Sequence, residues 1–533
     1  MTTPSEPRTI RLGLADMAYG GDAVGRDPET GMATFAWPGI VGEEVDVVVT
    51  HAGKNMLRGV ISAVHKPSNA RVVPPCPYFG SCGGCQWQHM TYDEQVRAKH
   101  GILRSQLTRL AGISDPDPVL LTPLASPEEF HYRNTSHFAL DPSARALAYY
   151  RRETHSLIAV EACPISNAGI NRLMPFVNSL LQESGAGPEV ALAGTDGKGI
   201  MRVWKISIRS SEATGHNVLV FHSMAGGRAQ SRPDRHSRQP RRESERDVAS
   251  PVGDEPGAAH VVSISRREVR RAISSLAQSA TGEKPPGLLA VEVMDDGTVN
   301  HLGETRGAGS ASTEALADML TGALLRTPQS RDNDPQRPPL GSWIENLAGR
   351  SYWVGPAAFF QTNTGAAELL LSEVARHVPG KLGLLVDAHA GVGTFALHLV
   401  GRAKRVLAFE PDGGSIDSGE WSARTTNTTN VEFRKGRAEE LLPRLAPNEK
   451  LSAIILDPPR SGCHPSLLAE IARRQIPRLV YVSCDPSTLA RDIKILASSY
   501  KLTSARVVDM FPQTYHIETV AVLEGIGVKG LGD

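Results

Sequence analysis

The sequence predicts an α/β chain in three parts: a small β-barrel over residues 1–70, a central α+β domain over 71–340 and a doubly wound α/β domain over 341–533. Three observations predict it. Seven short apolar runs alternate with helical stretches in the last third of the chain, glycine- and proline-marked turns recur through the first 70 residues, and two loose polar stretches interrupt the middle. A chain of 533 residues has ample length for several cores.

Composition narrows the class of function. Lys+Arg and Asp+Glu both number 57, so the net charge is zero and any nucleic-acid contact must come from a local basic patch. The six cysteines are too unevenly spaced for a disulfide scaffold. No apolar leader and no run of membrane-spanning length occurs, so a protein of the reducing cytoplasm with no membrane partner is expected. No coiled-coil heptads occur either, and a monomer is the default expectation.

From Thr9 to about His65, alternating apolar positions are punctuated by Gly20-Gly21, Gly25, Pro38-Gly39 and Gly42, the pattern of short strands closing on themselves. Together with Val24-Gly25 and Ile40-Val41-Gly42-Glu43, this stretch resembles a TRAM domain, a small OB-like RNA-binding barrel. RNA binding and a packing role are both open for it.

Cys76, Cys82 and Cys85 then form C-x5-C-x2-C, with Cys163-Pro164 well downstream. Four thiolates in this arrangement suit an iron–sulfur cluster, with zinc as the competitor. The spacing is not the C-x3-C-x2-C of radical S-adenosylmethionine enzymes, so a structural or RNA-positioning cluster is expected.

A helical pattern runs from Tyr92 to about Leu110, with Arg97, Lys99, His100, Arg104 and Arg109 read as a solvated face. Tyr132 to Leu140, Ala146 to Arg151, Val203 to Arg209, Val218 to His222 and Leu288 to Met294 read as central strands, with Arg133, Arg151, Arg152, Arg202 and Lys205 as the basic surface. Arg228 to Glu255 lacks large apolar residues and is expected to be disordered. Thr327 to Pro339 reads as a linker.

In the last domain the strand candidates are Leu384 to Ala388, Arg405 to Glu410, Val431 to Lys435, Ala453 to Leu456, Leu479 to Ser483, Thr503 to Val508 and Ile517 to Leu523. The first ends in Asp387-Ala388-His389-Ala390-Gly391-Val392-Gly393, where glycines let a ligand approach the backbone, and Glu410 closes the second at a ribose-gripping position. A nicotinamide cofactor fits that pairing as well. The fourth strand runs into Asp457-Pro458-Pro459-Arg460-Ser461-Gly462, a rigid turn at the carboxyl edge of the sheet. The fifth ends at Cys484, where a helix opens and runs to about Tyr500, so the helix N-terminus is expected to favour the thiolate.

The Asp457-Pro-Pro-Arg-Ser-Gly turn, Val482-Ser-Cys484-Asp-Pro, Phe359-Phe-Gln361-Thr-Asn363 and Asp509-Met-Phe-Pro-Gln-Thr-Tyr-His-Ile-Glu518 together resemble the RNA uracil-5 methyltransferases, in their iron–sulfur, TRAM-containing branch. The resemblance implies a Rossmann-like class I methyltransferase domain. It implies Cys484 as nucleophile and Glu518 as base. It implies Gln361, His389, Gly391, Glu410 and Asp457 around S-adenosylmethionine, and Cys76, Cys82, Cys85 and Cys163 as ligands of a 4Fe-4S cluster. The implied substrate is RNA, with 23S ribosomal RNA favoured over transfer RNA.

The chemistry accounts for these residue types. Carbon 5 of uracil is a weak nucleophile until a thiolate adds at carbon 6, and a base must then remove the carbon 5 proton. The reacting base has to leave its stack, or lie in a single-stranded loop, to reach a cysteine at a sheet edge. His389 stands where Tyr or Phe is usual in the family, Ala390 replaces Cys or Ser, and Arg437 follows Gly436 where an acidic residue is common. Imidazole can still stack on the cofactor. Cys463 and His464 read as packing and turn residues. Two other classes stay open: an iron–sulfur RNA-binding protein without catalysis, and a nicotinamide oxidoreductase.

Overall fold

The computed structural model describes residues 8–183, 200–223, 262–278, 287–294, 299–305, 341–446 and 449–527. The stretches Arg228 to Glu255 and Thr327 to Pro339 lie outside the described residues. Five strands, β1 (Thr9–Met17), β2 (Ala23–Arg26), β3 (Ala33–Trp37), β4 (Glu44–Ala52) and β5 (Met56–Lys66), close into a barrel in the order β1-β2-β3-β5-β4. Alternation puts Ile10, Leu12, Leu14, Val45 and Val47 inside.

Helix α1 (Tyr92–Arg109) and strand β6 (Leu120–Leu124) follow. The central domain holds β7 (Thr135–Asp141), β8 (Ala146–Tyr150), β9 (Leu157–Ala159), α2 (Ala168–Glu183), β10 (Ile200–Ser210), β11 (His216–Ser223), β12 (Val262–Ser265), α3 (Arg266–Gln278), β13 (Gly287–Met294) and β14 (Val299–Thr305). Its sheet runs β14-β13-β11-β10-β7-β8-β9, with β12 on β10. The five strands expected here all form, each within about three residues of its sequence bounds.

The C-terminal domain begins with a hairpin, β15 (Trp343–Leu347) and β16 (Arg350–Val354), then α4 (Thr364–His377), β17 (Leu382–Asp387), α5 (Thr394–His398), β18 (Ala403–Glu410), α6 (Gly413–Thr425) and β19 (Val431–Lys435). It continues with α7 (Ala438–Leu441), β20 (Leu451–Leu456), α8 (Pro465–Arg474), β21 (Arg478–Ser483), α9 (Pro486–Leu496), β22 (Tyr500–Val508) and β23 (Glu518–Gly525). The sheet order is β19-β18-β17-β20-β21-β23-β22-β6. Strands β17 to β21 run parallel and β23 runs antiparallel between β21 and β22. The order reverses between β17 and β20, opening a crevice at their carboxyl ends. All seven expected strands are present, and helix α9 stops at Leu496 because the chain re-enters the sheet at Tyr500.

One placement differs from the sequence reading. Strand β6, not read as a strand and lying within the 71–340 range given to the central domain, pairs in parallel with β22 and finishes the C-terminal sheet. The barrel is built into the rest of the chain: Ile10, Leu12 and Leu14 share one continuous apolar core with Leu103 and Leu107 of α1 and Leu489, Leu496 and Leu502 of the last domain. Apolar burial of this extent fixes the barrel against the sheet. No described helix is long and apolar enough to cross a membrane.

Candidate active site

Strand β21 is buried through Ser483 and ends at Cys484. Asp485 then caps α9, its Oδ1 accepting from Ser487 N at 2.8 Å and Thr488 N at 3.0 Å. In the neighbouring antiparallel register Ser483 faces Thr519, so the next pair outward is Cys484 and Glu518. Leu456 of β20 faces Tyr481, which brings Asp457 out of the same edge. Three residues far apart in sequence thus meet at one end of three adjacent strands.

Their electrostatics differ from the sequence expectation. The helix N–H groups expected to favour a thiolate are taken by Asp485. Burial pushes the Cys484 thiol up to about 12, with the Glu518 and Asp457 carboxylates adding to the rise and Arg460 opposing it. Burial, then Asp457, holds Glu518 well above the usual carboxylate range, and only Arg460 lowers it. Asp457 is raised to about 8 by burial and by Asp387. Burial in this site thus favours the neutral form of all three groups.

The proline turn after β20 is held by helix α9. Thr488 Oγ1 donates to Arg460 O at 3.1 Å, Arg491 Nη2 to Ser461 O at 2.8 Å, and Cys463 N to Asp492 Oδ2 at 2.8 Å. Tyr481 Oη donates to the same Asp492 oxygen at 2.7 Å. Cys463 is buried packing and His464 caps α8, as the sequence suggested. Arg460 Nη2 lies 3.4 Å from His516 Nδ1, and burial together with Arg460, Arg133 and Lys99 keeps that imidazole neutral.

On the other side of the crevice, β17 leads into the loop carrying His389, Gly391 and Gly393. Gly393 has a φ of 82°, and a Cβ there would stand 2.6 Å from Phe433 Cζ, so a side chain is excluded on both counts. Asp387 Oδ2 accepts from Ala396 N at 3.0 Å; its carboxyl is raised to about 7, mainly by burial. Glu410 accepts from Gly391 N and Asp412 N, both at 2.9 Å, which pins its carboxylate beside the glycine loop. His389 is half-buried and held neutral by burial near 4, and its Nδ1 has no partner among the described residues. Gln361 is half-buried, its carbonyl held by Asn134 Nδ2 at 3.0 Å. Arg437 is exposed and reaches Glu439 at 3.9 Å.

Cys76, Cys82, Cys85 and Cys163 line a single cavity of about 50 Å³ together with Tyr78, Gln88, Tyr149 and Arg133. All are free thiols, raised at Cys82 to about 11 and at Cys85 to about 12, chiefly by burial. Among the described residues no three His, Cys, Asp or Glu side chains are grouped tightly enough to hold a metal ion. Arg133, read from the sequence as basic surface, belongs to this pocket, and its buried Nε has no partner among the described residues. Arg152 is likewise drawn in, its guanidinium 3.9 Å from the Trp37 ring centroid.

The segment leading to Glu518 is gripped by the cysteine-bearing part of the chain. Gln86 N and Trp87 N donate to Gln513 O at 3.1 and 3.0 Å, and Gln95 exchanges hydrogen bonds with Gln513. Tyr132 Oη donates to Pro512 O at 3.0 Å, and Lys99 Nζ to Asp509 Oδ1 and Phe511 O at 2.6 and 2.9 Å. Lys99, expected on a solvated face, is fully buried. It follows Ala98 and precedes Ile102 and Leu103 on the apolar stripe of α1, a periodicity that places it inward. Asn134 carried no sequence signal of its own.

Comparison with known proteins places this arrangement. Residues 347–526 match the family described as tRNA (Uracil-5-)-methyltransferase. The C-terminal domain belongs to the RNA uracil-5 methyltransferase family. Along the whole chain the methyltransferase is 29% identical to an uncharacterized RNA methyltransferase of Gloeobacter violaceus, covering 97% of this chain and 96% of that one. It is 28% identical to another of Geobacter sulfurreducens, covering 98% and 91%. In fold it is similar to the crystal structure of Pyrococcus abyssi tRNA (uracil-54, C5)-methyltransferase in complex with S-adenosyl-L-homocysteine. That likeness has a TM-score of 0.59 at 20% identity and covers 96% of this chain and 100% of that one. The chain is an RNA methyltransferase.

Proposed function

We propose that this methyltransferase transfers a methyl group to carbon 5 of a uridine through a covalent adduct on Cys484. The observation that carries the reading is the meeting of Cys484, Glu518 and Asp457 on adjacent strand ends beside the β17 crevice. Addition of the Cys484 thiolate to carbon 6 makes carbon 5 electron-rich. S-adenosylmethionine, when bound, supplies the methyl group that carbon 5 takes up. Glu518 removes the proton from carbon 5, the C6–S bond breaks, and the 5,6 double bond and the thiolate return together. Both the nucleophile and the base must lose a proton first, against the burial that holds those protons on.

The cofactor loop fits its ligand. Gly391 and Gly393 expose backbone, Glu410 is pinned where ribose hydroxyls would lie, and the unpartnered His389 Nδ1 and half-buried Gln361 flank the crevice. Asp457 stands between the cofactor strand and Glu518, raised by Asp387 and in turn raising Glu518, and anchors the cofactor side of the site.

The four cysteines fit a 4Fe-4S cluster better than zinc. A single zinc ion needs four sulfurs about 2.3 Å from one point. The four thiols line one cavity, and the buried cation of Arg133 suits a cluster of net negative charge. The cluster supplies no step of the reaction. RNA lies between the central and C-terminal domains in this reading, with the N-terminal barrel as a TRAM-type contact. The proposed RNA is 23S ribosomal RNA, on the strength of the four-cysteine set and the barrel.

Covalent trapping tests the reading. Wild type and Cys484→Ala are incubated with S-adenosylmethionine and total cellular RNA containing 5-fluorouridine, whose fluorine does not leave as a proton. A denaturant-resistant adduct with wild type alone is the expected result, and sequencing its RNA identifies a 23S or a transfer RNA target. Absence of adduct with bound RNA and cofactor rejects the mechanism in favour of RNA binding without catalysis.

A further inference from the structure

We propose that Tyr19 of the N-terminal barrel is a positioning residue for the Cys484 turn, which makes the barrel part of the catalytic apparatus. Tyr19 Oη donates to Asp485 Oδ2 at 3.1 Å. The other oxygen of that carboxylate is already committed to the first turn of α9 through Ser487 and Thr488. With both oxygens anchored from different directions, the carboxylate cannot rotate about its own axis. The residue immediately before it is Cys484.

The barrel reaches this point through a built turn. Ala18 N donates to Asp22 O at 2.9 Å, and Gly21 N donates to Ala18 O at 3.2 Å. Gly20 and Gly21 have φ values of 115° and 101°, a conformation side chains rarely adopt. A Cβ on Gly21 would lie 3.3 Å from Gln86 Cβ and 3.4 Å from Tyr515 Cδ1, so the turn is wedged between the cysteine segment and the Glu518 segment. Trp87 Nε1 fixes it further by donating to Gly21 O at 2.9 Å. The Tyr19 ring meets Tyr515 edge-on at 5.9 Å, so its direction is set before the hydroxyl bonds anything.

A docking role alone does not account for the hydroxyl. The barrel is already held by the shared apolar core, by Trp37 Nε1 donating to Gln86 O at 3.0 Å, and by the Arg152 and Asp22 pair at 3.2 Å. Removing one oxygen leaves all of these in place. Its loss falls on Asp485, and through it on the angle at which Cys484 meets carbon 6, where small misplacement is costly.

This inference rests on the proposed role of Cys484, and the test separates the two. Tyr19→Phe keeps the ring and removes the hydroxyl. Expected are a kcat and a rate of 5-fluorouridine adduct formation at saturating RNA about tenfold lower, the size of one hydrogen bond to a charged group, with the RNA KM and the unfolding midpoint unchanged. Asp485→Asn approaches the same contact from the other side, and the double variant should be no slower than the slower single variant. An unchanged kcat in Tyr19→Phe overturns the inference, as does a higher KM alone, which would make Tyr19 an RNA contact. Cys484→Ala runs in parallel: if it still forms the adduct, the nucleophile is misassigned whatever Tyr19 does.

Discussion

Lys99 Nζ and Asp509 Oδ1 lie 2.6 Å apart with neither side chain reached by solvent, although 410 residues separate them. The pair locks helix α1 to the start of the segment that ends at Glu518. Removing one partner of a buried pair strands the other charge. Lys99→Met is therefore expected to lose about 3–5 kcal/mol of stability, and Lys99→Met with Asp509→Leu to recover most of it. Urea unfolding of the three proteins measures this, and equal stability of wild type and Lys99→Met would refute it.

The pH dependence of adduct formation follows from the raised carboxyl groups. Asp457 sits near 8 and Glu518 is raised well above the usual carboxylate range, so the base form is scarce at acidic pH. The rate at limiting RNA should climb with pH well above the ordinary carboxylate range, because Glu518, the base, is raised. Asp457→Asn removes a charge that raises both Glu518 and Cys484, so any residual activity should have its limb at lower pH. A limb near the ordinary carboxylate value, about 4, counts against the assignment.

Glu518→Gln should stall the reaction after methyl transfer, because no base removes the carbon 5 proton. The variant is expected to accumulate a denaturant-stable complex with ordinary, unfluorinated RNA. Gel mobility of the protein in denaturant reads it out, and turnover at the wild-type rate would assign the base elsewhere.

Glu410→Ala removes the carboxylate pinned by Gly391 N and Asp412 N. Binding of S-adenosylhomocysteine should weaken roughly 10- to 100-fold, the worth of one or two charge-assisted hydrogen bonds. Calorimetry with the cofactor product and a parallel RNA-binding measurement, expected unchanged, test the placement.

Anaerobically purified protein should carry four iron and four sulfide per chain, as a 4Fe-4S cluster requires. Cys85→Ser should lose the visible absorbance of the cluster. Zinc in place of iron on elemental analysis would replace the cluster with a single-ion site.

Much of the fold was legible because period and turn chemistry are local. Leu479 to Ser483 reads as a buried strand from its own residues, and Asp485-Pro486 announces the helix. The glycines after Asp387 marked the cofactor loop for the same reason. The protonation state of Cys484 was not legible: the helix N-terminus predicted a thiolate, but Asp485 occupies those N–H groups, and Glu518 and Asp457 arrive from other strands. Lys99 and Arg133 misled because a basic side chain in a sequence reads as surface unless its partners are known.

The sequence by itself determined the doubly wound domain, the barrel, the four-cysteine set and the strand-to-helix turn at Cys484, since each rests on neighbours within a few residues. Tertiary structure alone decided that β6 completes the C-terminal sheet, that the barrel's Tyr19 touches Asp485, and that Lys99 is buried on Asp509. Those contacts join residues hundreds of positions apart. Their energy comes from shared burial and charge, quantities that have no value until the chain has folded back on itself.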